Sequence, residues 1–211
     1  MRALLILVLL PSLALAQQRI DLKPVFVRNG EATIASAQSY YSMLSETKAE
    51  FARIGVYINI LPLKLIDDPC PQYNTFALQT QKLLCLGSVA RRLKLLRNGQ
   101  ITHFTLPVML EATGQKLLGG LARTTCARRY GRLSYLYSYS IANAAEISQS
   151  GESRYRHSEV AMKHEIGHVL GAEHDDYSPN IMHSAANIFV KDRWPLKFNQ
   201  PAIDQIKRCL K

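Results

Sequence analysis

His164-Glu165-Ile166-Gly167-His168-Val169-Leu170-Gly171-Ala172-Glu173-His174-Asp175 lies in the last quarter of a 211-residue chain. Two histidines four residues apart on a helix share one face, one turn apart. That is the spacing two ligands of a tetrahedral metal require. Gly171 can take the left-handed conformation that ends a helix. The chain then turns, and His174 returns to the metal as a third ligand. Three protein nitrogens with a fourth position left for water describe a catalytic zinc, whereas a structural zinc is closed by four protein ligands. Glu165 cannot point the same way as His164. It lies beside the metal, where it can take a proton from that water and pass it to a leaving amine. A lone helical histidine is usually structural and a lone helical glutamate usually solvated. The added glycine and third histidine, at fixed positions, are what make the pattern specific.

Working outward, the helix that carries the pattern is predicted over 158–170, and a last helix over 201–210 with Pro201 in its first turn. Upstream, Ile20 to Val27 reads as a strand. Residues 34–53 read as a helix with Ile34, Ala37, Tyr41, Leu44 and Phe51 on one face, ended by Gly55. Val56, Ile58 and Ile60 alternate with Tyr57 and Asn59 as the next strand. A second helix is expected over about 75–97, stopped by Asn98-Gly99. Strands follow at 101–110 and 116–125. Leu133, Tyr135, Tyr137 and Tyr139 alternate with Ser134, Ser138 and Ser140 as a strand with one polar face, and a looser polar stretch spans 143–152. Alternating helices and strands imply an α/β sheet protein. No repeat, low-complexity run or linker divides it, so a single domain over 17–211 is expected.

Residues 1–16 carry a secretory signal: Arg2, an apolar run from Leu4 to Leu10, and Ala14-Leu15-Ala16 before a cleavage site at Gln17. The apolar run is short for a bilayer span, so the mature chain is expected to be soluble and exported. Cys70, Cys85, Cys126 and Cys209 then read as two disulfides. Three pairings are possible. Nearness in sequence favours Cys70–Cys85, and Cys126–Cys209 would tie the last helix to the body. No C-x-x-C pair suggests a cysteine zinc site. The chain is 47% hydrophobic and 20% charged, with a formal net charge of +10. Basic pairs at Arg91-Arg92, Arg128-Arg129 and Lys207-Arg208 suit anionic partners, acidic proteins or cell-surface polymers. No motif directs the charge to nucleic acid.

The pattern H-E-x-x-H-x-x-G-x-x-H resembles the signature of the metzincin metallopeptidases. Asn180-Ile181-Met182-His183 looks like that clan's Met-turn, with Met182 forming an apolar floor under the ligands. Within the clan, Asp175 resembles the adamalysin (reprolysin) family. So do Gly120-Leu121-Ala122 with Cys126 beyond, and Phe198-Asn199 with the following helix and Cys209. The stretch from His164 to Met182 is also similar to fragilysin-like bacterial proteases. The spacing from Gly120 to Cys126 is shorter than in adamalysins, and that from His174 to Met182 is closer to the matrixins. Ser184 stands where astacins have a tyrosine, so no tyrosine ligand is implied. The chain shows no long segment ahead of its first strand to act as a latch, and no spare cysteine.

The resemblance implies a twisted mixed five-stranded sheet with helices. A cleft would separate an upper part of about 17–170 from a lower part of about 171–211. One catalytic zinc is implied; the residues offer no reading on a structural calcium. Substrate would pair with an edge strand at Gly120, Leu121, Ala122 and Arg123, and residues 184–188 would wall the pocket beyond the cut. His103, His157 and His183 read as surface or core histidines. The implied function is a secreted, monomeric zinc endopeptidase acting on proteins or peptides. Two rivals are a catalytically idle binding module of the same fold, against which Glu165 speaks, and a hydrolase of non-peptide amides, against which an edge strand speaks.

Overall fold

A computed structural model describes residues 18–28, 35–73, 78–107, 120–122, 126, 128–129, 132–133, 136–142, 156–184 and 196–211. The first strand, β1 (Gln18–Arg28), is the spine of the main sheet. Ile20, Leu22 and Phe26 join one core cluster while Val25 and Val27 join the other, so the strand is buried on both faces. Strands of that kind read as apolar runs and belong in parallel sheets. β1 indeed pairs in parallel with β2 (Val56–Ile60), β3 (Lys64–Asp67) and β4 (Gln100–Pro107). β4 pairs in parallel with β8 (Leu136–Ala142), and β5 (Gly120–Ala122) closes that side antiparallel to β8.

The order β2-β1-β4-β8-β5 fills five positions, yet the sheet has six strands, because β2 and β3 both lie along β1. The five-stranded expectation missed this break, and Pro24 accounts for it. A proline cannot donate to a neighbouring strand. Opposite it the edge is interrupted between Ile60, paired with Leu22, and Lys64, paired with Val25. The hydrogen bond from Leu61 N to Leu22 O, 2.9 Å, is the last before the interruption. A separate two-stranded ribbon joins β6 (Arg128–Arg129) to β7 (Arg132–Leu133). The strand expected over 133–139 therefore begins only at Leu136, and Leu133 belongs to the ribbon.

Helix α1 (Ala35–Arg53) packs on one face of the sheet. Its buried stripe is Tyr40, Met43, Leu44, Thr47 and Phe51, whereas Tyr41 is 49% exposed. Leu44 and Phe51 lie on the buried face as expected, Tyr41 does not, and the side chains of Ile34 and Ala37 lie outside the described residues. Tyr40 turns inward because its hydroxyl accepts a hydrogen bond from Thr105 Oγ1 at 2.9 Å and its ring meets Phe26 edge-on. Helix α2 (Gln79–Arg92) covers the opposite face, setting Leu83, Leu86, Val89 and Ala90 against Val25, Phe104, Tyr137 and Tyr139. It is shorter than the expected 75–97. The chain leaves the helix after Arg92, Lys94 takes a left-handed φ of 54°, and Leu95 O accepts from Gln100 Nε2 and Thr102 Oγ1. Asn98-Gly99 thus opens β4 rather than ending the helix. A disulfide joins Cys70 to Cys85 of α2, and a second joins Cys126 to Cys209.

The polar face expected on the tyrosine-rich strand points inward. Ser138 and Ser140 are fully buried and hold His103, whose Nδ1 lies 2.8 Å and Nε2 2.9 Å from the two hydroxyls. Burial pushes the His103 pKa down to about 3, so it is a neutral core histidine. Helix α3 (Arg156–Val169) lies on the α1 face, and helix α4 (Gln200–Leu210) ends the chain. Residues 1–17, 143–155 and 185–195 lie outside the described residues. With them lie the leader, the polar stretch and most of the expected pocket wall.

The α2 interface makes a testable demand. A Cβ on Gly87 would stand 2.4 Å from Cζ of Tyr137, a ring only 1% exposed. Gly87→Ala is expected to cost about 1–3 kcal/mol through overpacking. Thermal denaturation should show a melting temperature lower by roughly 2–9 °C; an unchanged melting temperature would contradict the packing described.

Candidate metal centre

Helix α3 presents His164 and His168 one turn apart, as their spacing requires. The helix stops at Gly171, whose φ of 87° lets the chain reverse, with Gly171 N bonded to His168 O and Ala172 N to Gly167 O. The reversed chain brings His174 back, and the three histidines form a cluster able to hold a metal ion. Their Nε2 atoms lie 3.0, 3.1 and 3.2 Å apart.

These contacts are not a hydrogen-bonded ring. His164 Nδ1 lies 2.7 Å from Ile181 O, and His168 Nδ1 lies 2.7 Å from Ala172 O. A carbonyl oxygen only accepts, so both Nδ1 atoms carry the hydrogen and both Nε2 atoms turn bare lone pairs toward the centre. One proton on His174 could satisfy at most one of them. Burial first, then the neighbouring imidazoles, lowers the His164 pKa to about 3; burial likewise lowers that of His168. Neutral imidazoles with converging lone pairs, each oriented by a backbone carbonyl through its other nitrogen, are the donor set of a metal site.

Glu165 points to the other side of the helix and is 5% exposed. Burial holds its carboxyl well above the usual carboxylate range. Its Oε2 is buried without a hydrogen-bond partner among the described residues. The reason it fits is Gly120. A Cβ there would lie 2.6 Å from Glu165 Cγ, 2.9 Å from Oε1 and 2.5 Å from the Tyr139 carbonyl. The glycine of the edge strand thus makes room for the glutamate of the metal helix. Leu121 and Ala122 follow, half-buried, in register with Tyr139 and Ser138.

Met182 is fully buried beneath α3, close enough that a Cβ on Gly167 would meet its sulfur at 2.6 Å. The loop between His174 and Met182 is held by hydrogen bonds that the sequence reading did not assign. Asn180, 2% exposed, donates from Nδ2 to Asp175 O and Ser178 O and accepts from Met182 N at 2.7 Å. Asp175 N donates to Met182 O. Asp175 Oδ2 accepts from Asn199 Nδ2, while Asn199 Oδ1 caps α4 at Ala202 N. Gln205 Oε1 accepts from Glu173 N, and a Cβ on Gly171 would meet the Cβ atoms of Cys126 and Cys209 at 3.3 and 3.6 Å. Helix α4 and its disulfide therefore brace the turn that delivers His174. Glu50 of α1 adds a further anchor, accepting from Phe198 N and pairing with Arg53. The Glu173–Gln205, Asp175–Asn199 and Glu50–Phe198 bonds join residues distant in sequence, so no local signal could have found them. His183 is half-buried beside Asp176 rather than in the histidine cluster.

No protein-family model and no curated protein matches the chain. Solved structures do. An archaemetzincin from Methanopyrus kandleri superposes with a TM-score of 0.62 at 15% identity, over 94% of this chain and 99% of that one. Metalloproteinase-II from Bacteroides fragilis gives 0.59 at 13% identity, over 94% of this chain and 55% of that one. A zinc-dependent peptidase from Methanocorpusculum labreanum gives 0.53 at 16% identity, over 88% and 99%. At these identities the likeness is one of architecture and does not single out the adamalysins. The mixed α/β fold of this chain is shared with these three structures.

Proposed function

We propose that the protein is a secreted zinc-dependent endopeptidase of the metzincin kind, with one zinc held by His164, His168 and His174 and with Glu165 as its catalytic base. One observation carries this reading: the Nε2 atoms of His164, His168 and His174 converge at 3.0 to 3.2 Å, and those of His164 and His168 turn bare lone pairs to the centre. The role of Glu165, the next residue along α3 from His164, is supported by its buried Oε2, which has no partner among the described residues. Zinc in such a site supplies Lewis acidity, polarising the scissile carbonyl and lowering the pKa of water from about 16 toward about 7. Glu165 accepts the proton of the attacking water and hands it to the departing amine. Surroundings that favour its protonated form help it keep that proton until the amine takes it. Met182 supports α3 from below, so the two helical ligands keep their spacing.

The substrate would lie extended along β5, adding a strand to the sheet through the backbone of Gly120, Leu121 and Ala122. β5 ends the main sheet on that side among the described residues, which supports the reading. Because Gly120 also makes room for Glu165, pairing at this strand would set the scissile bond beside the base. Asp175, the Gly120-Leu121-Ala122 strand and Cys209 support an adamalysin-like member. The leader at 1–16 and the two disulfides support export. No helix among the described residues is long and apolar enough to cross a membrane. The net positive charge favours acidic or surface-bound protein substrates, met by a monomer, with no role for nucleic acid.

On a mixed peptide library the wild type should cleave, and Glu165→Ala should lose about 10²–10⁴-fold in rate while keeping its zinc; equal activity in the two would refute the assigned role. Gly120→Ala should also keep zinc and fold. It is expected to lower kcat on the order of a hundredfold by displacing Glu165. Full activity in that variant would show that the glutamate does not need the space.

A further inference from the structure

The sheet presents a second distinctive face at the edge away from β5. Arg19, Asp21 and Lys23 of β1 alternate with Ile20 and Leu22, so they point to the side that α2 covers further along the strand. Here α2 no longer reaches. The loop after it shields Gln100 and Thr102 of β4 through Leu95 O but stops short of β1, where Arg19 is exposed and Lys23 half-exposed. Register sets Arg19 beside exposed Tyr57 and Asp21 beside Asn59, and Lys64 stands exposed at the start of β3. Arg97, exposed in the loop, completes the group. Burial, and then the nearby charges of Lys64 and Arg97, push Lys23 below the usual lysine range, as expected of cations crowded together.

Four cations thus share this face with one carboxylate, Asp21, which already accepts a hydrogen bond from Asn59 at 2.7 Å. None of Arg19, Lys23, Lys64 and Arg97 forms an ion pair among the described residues, although Lys23 Nζ donates a hydrogen bond to Pro62 O. Arg19 and Lys23 are four residues apart on one strand, roughly 13 Å at about 3.3 Å per residue. A single small anion cannot span that row, but an extended polyanion can.

We propose that this open sheet face binds an anionic polysaccharide chain. The cations meet its sulfates or carboxylates, Asn59 and Asp21 offer hydrogen bonds to hydroxyls, and Tyr57 offers a ring to a sugar. Single-stranded nucleic acid is bound on successive aromatic platforms, and this row has one aromatic residue. An acyl layer is entered by large aliphatic or aromatic groups, and the row has no leucine or phenylalanine. The face lies across the sheet from β5 and on the opposite side from α3. A bound chain would tether the protein and leave the metal centre open.

The test uses the full exported chain and heparin fragments, with affinity measured across a salt series. Lys23→Gln/Lys64→Gln/Arg97→Gln is compared with Lys207→Gln/Arg208→Gln/Lys211→Gln, which removes the same charge from exposed positions on and just after α4. The first variant should bind at least about tenfold more weakly, with a log–log salt slope shallower by about two to three units. The second should stay within about twofold of wild type. Peptide cleavage by the first variant should match wild type, so this result stands apart from the assignment of the metal centre. Equal losses in both variants would mean bulk charge alone and would overturn the proposal. So would tighter binding of a single-stranded oligonucleotide, or of phosphatidylserine vesicles, that the first variant abolishes.

Discussion

Three imidazoles meet with their Nε2 atoms 3.0 to 3.2 Å apart, and two of them, His164 and His168, turn bare lone pairs inward that a cation among them would satisfy. Much of the surrounding architecture can be understood as what holds them in that arrangement. Two come from one helix, which costs the fold little beyond the helix itself. The third requires the chain to stop, reverse at Gly171 and return within three residues. That reversal is braced by the C-terminal helix, by the Cys126–Cys209 disulfide against Gly171, and by the Asp175–Asn199 and Glu173–Gln205 bonds. The far end of the loop is fixed by Asn180, which satisfies three backbone groups while itself nearly fully buried. Ligand geometry is thus supported by bonds that never touch the metal position, as metal sites generally require.

The helix–reversal–helix part of the chain was legible because its signals are local. Histidine spacing, a glycine at the helix end and a proline in the first turn of α4 each act within one or two turns. Cys70 pairs with Cys85, as their nearness in sequence suggests, and Cys126 pairs with Cys209, which ties the last helix to the body. What could not be read were the long-range polar contacts. Glu50 reaches Phe198 across 148 positions, and nothing near either residue announces the other. That Tyr40 rather than Tyr41 faces inward on α1 was decided by Thr105, a partner on the sheet. The inward polar face of β8 was decided by His103 in the same way. Pro24 did carry a signal, because a proline in a central strand predicts an interruption beside it; that signal locates the break between β2 and β3.

The two edges of the sheet differ in ways that suit different tasks. At β5 the glycine is set against a glutamate, and the strand is short and half-buried. At the side of β2 and β3, Arg19, Tyr57 and Lys64 are exposed and Lys23 is half-exposed. The break beside Pro24 also discourages a further strand from pairing there, which limits aggregation along that edge. On the two proposals, one sheet would join a cleavage edge at β5 to a face that carries a polyanion. α3 on one side and α2 on the other keep the two apart.

The central claim is that His164, His168 and His174 hold one zinc. Metal analysis of the purified folded chain, combined with X-ray absorption at the zinc edge, tests it most directly. The account predicts one zinc per chain in a shell of nitrogen and oxygen only, three of the ligands being imidazole. Zinc well below one per chain, or sulfur in the shell, would contradict it.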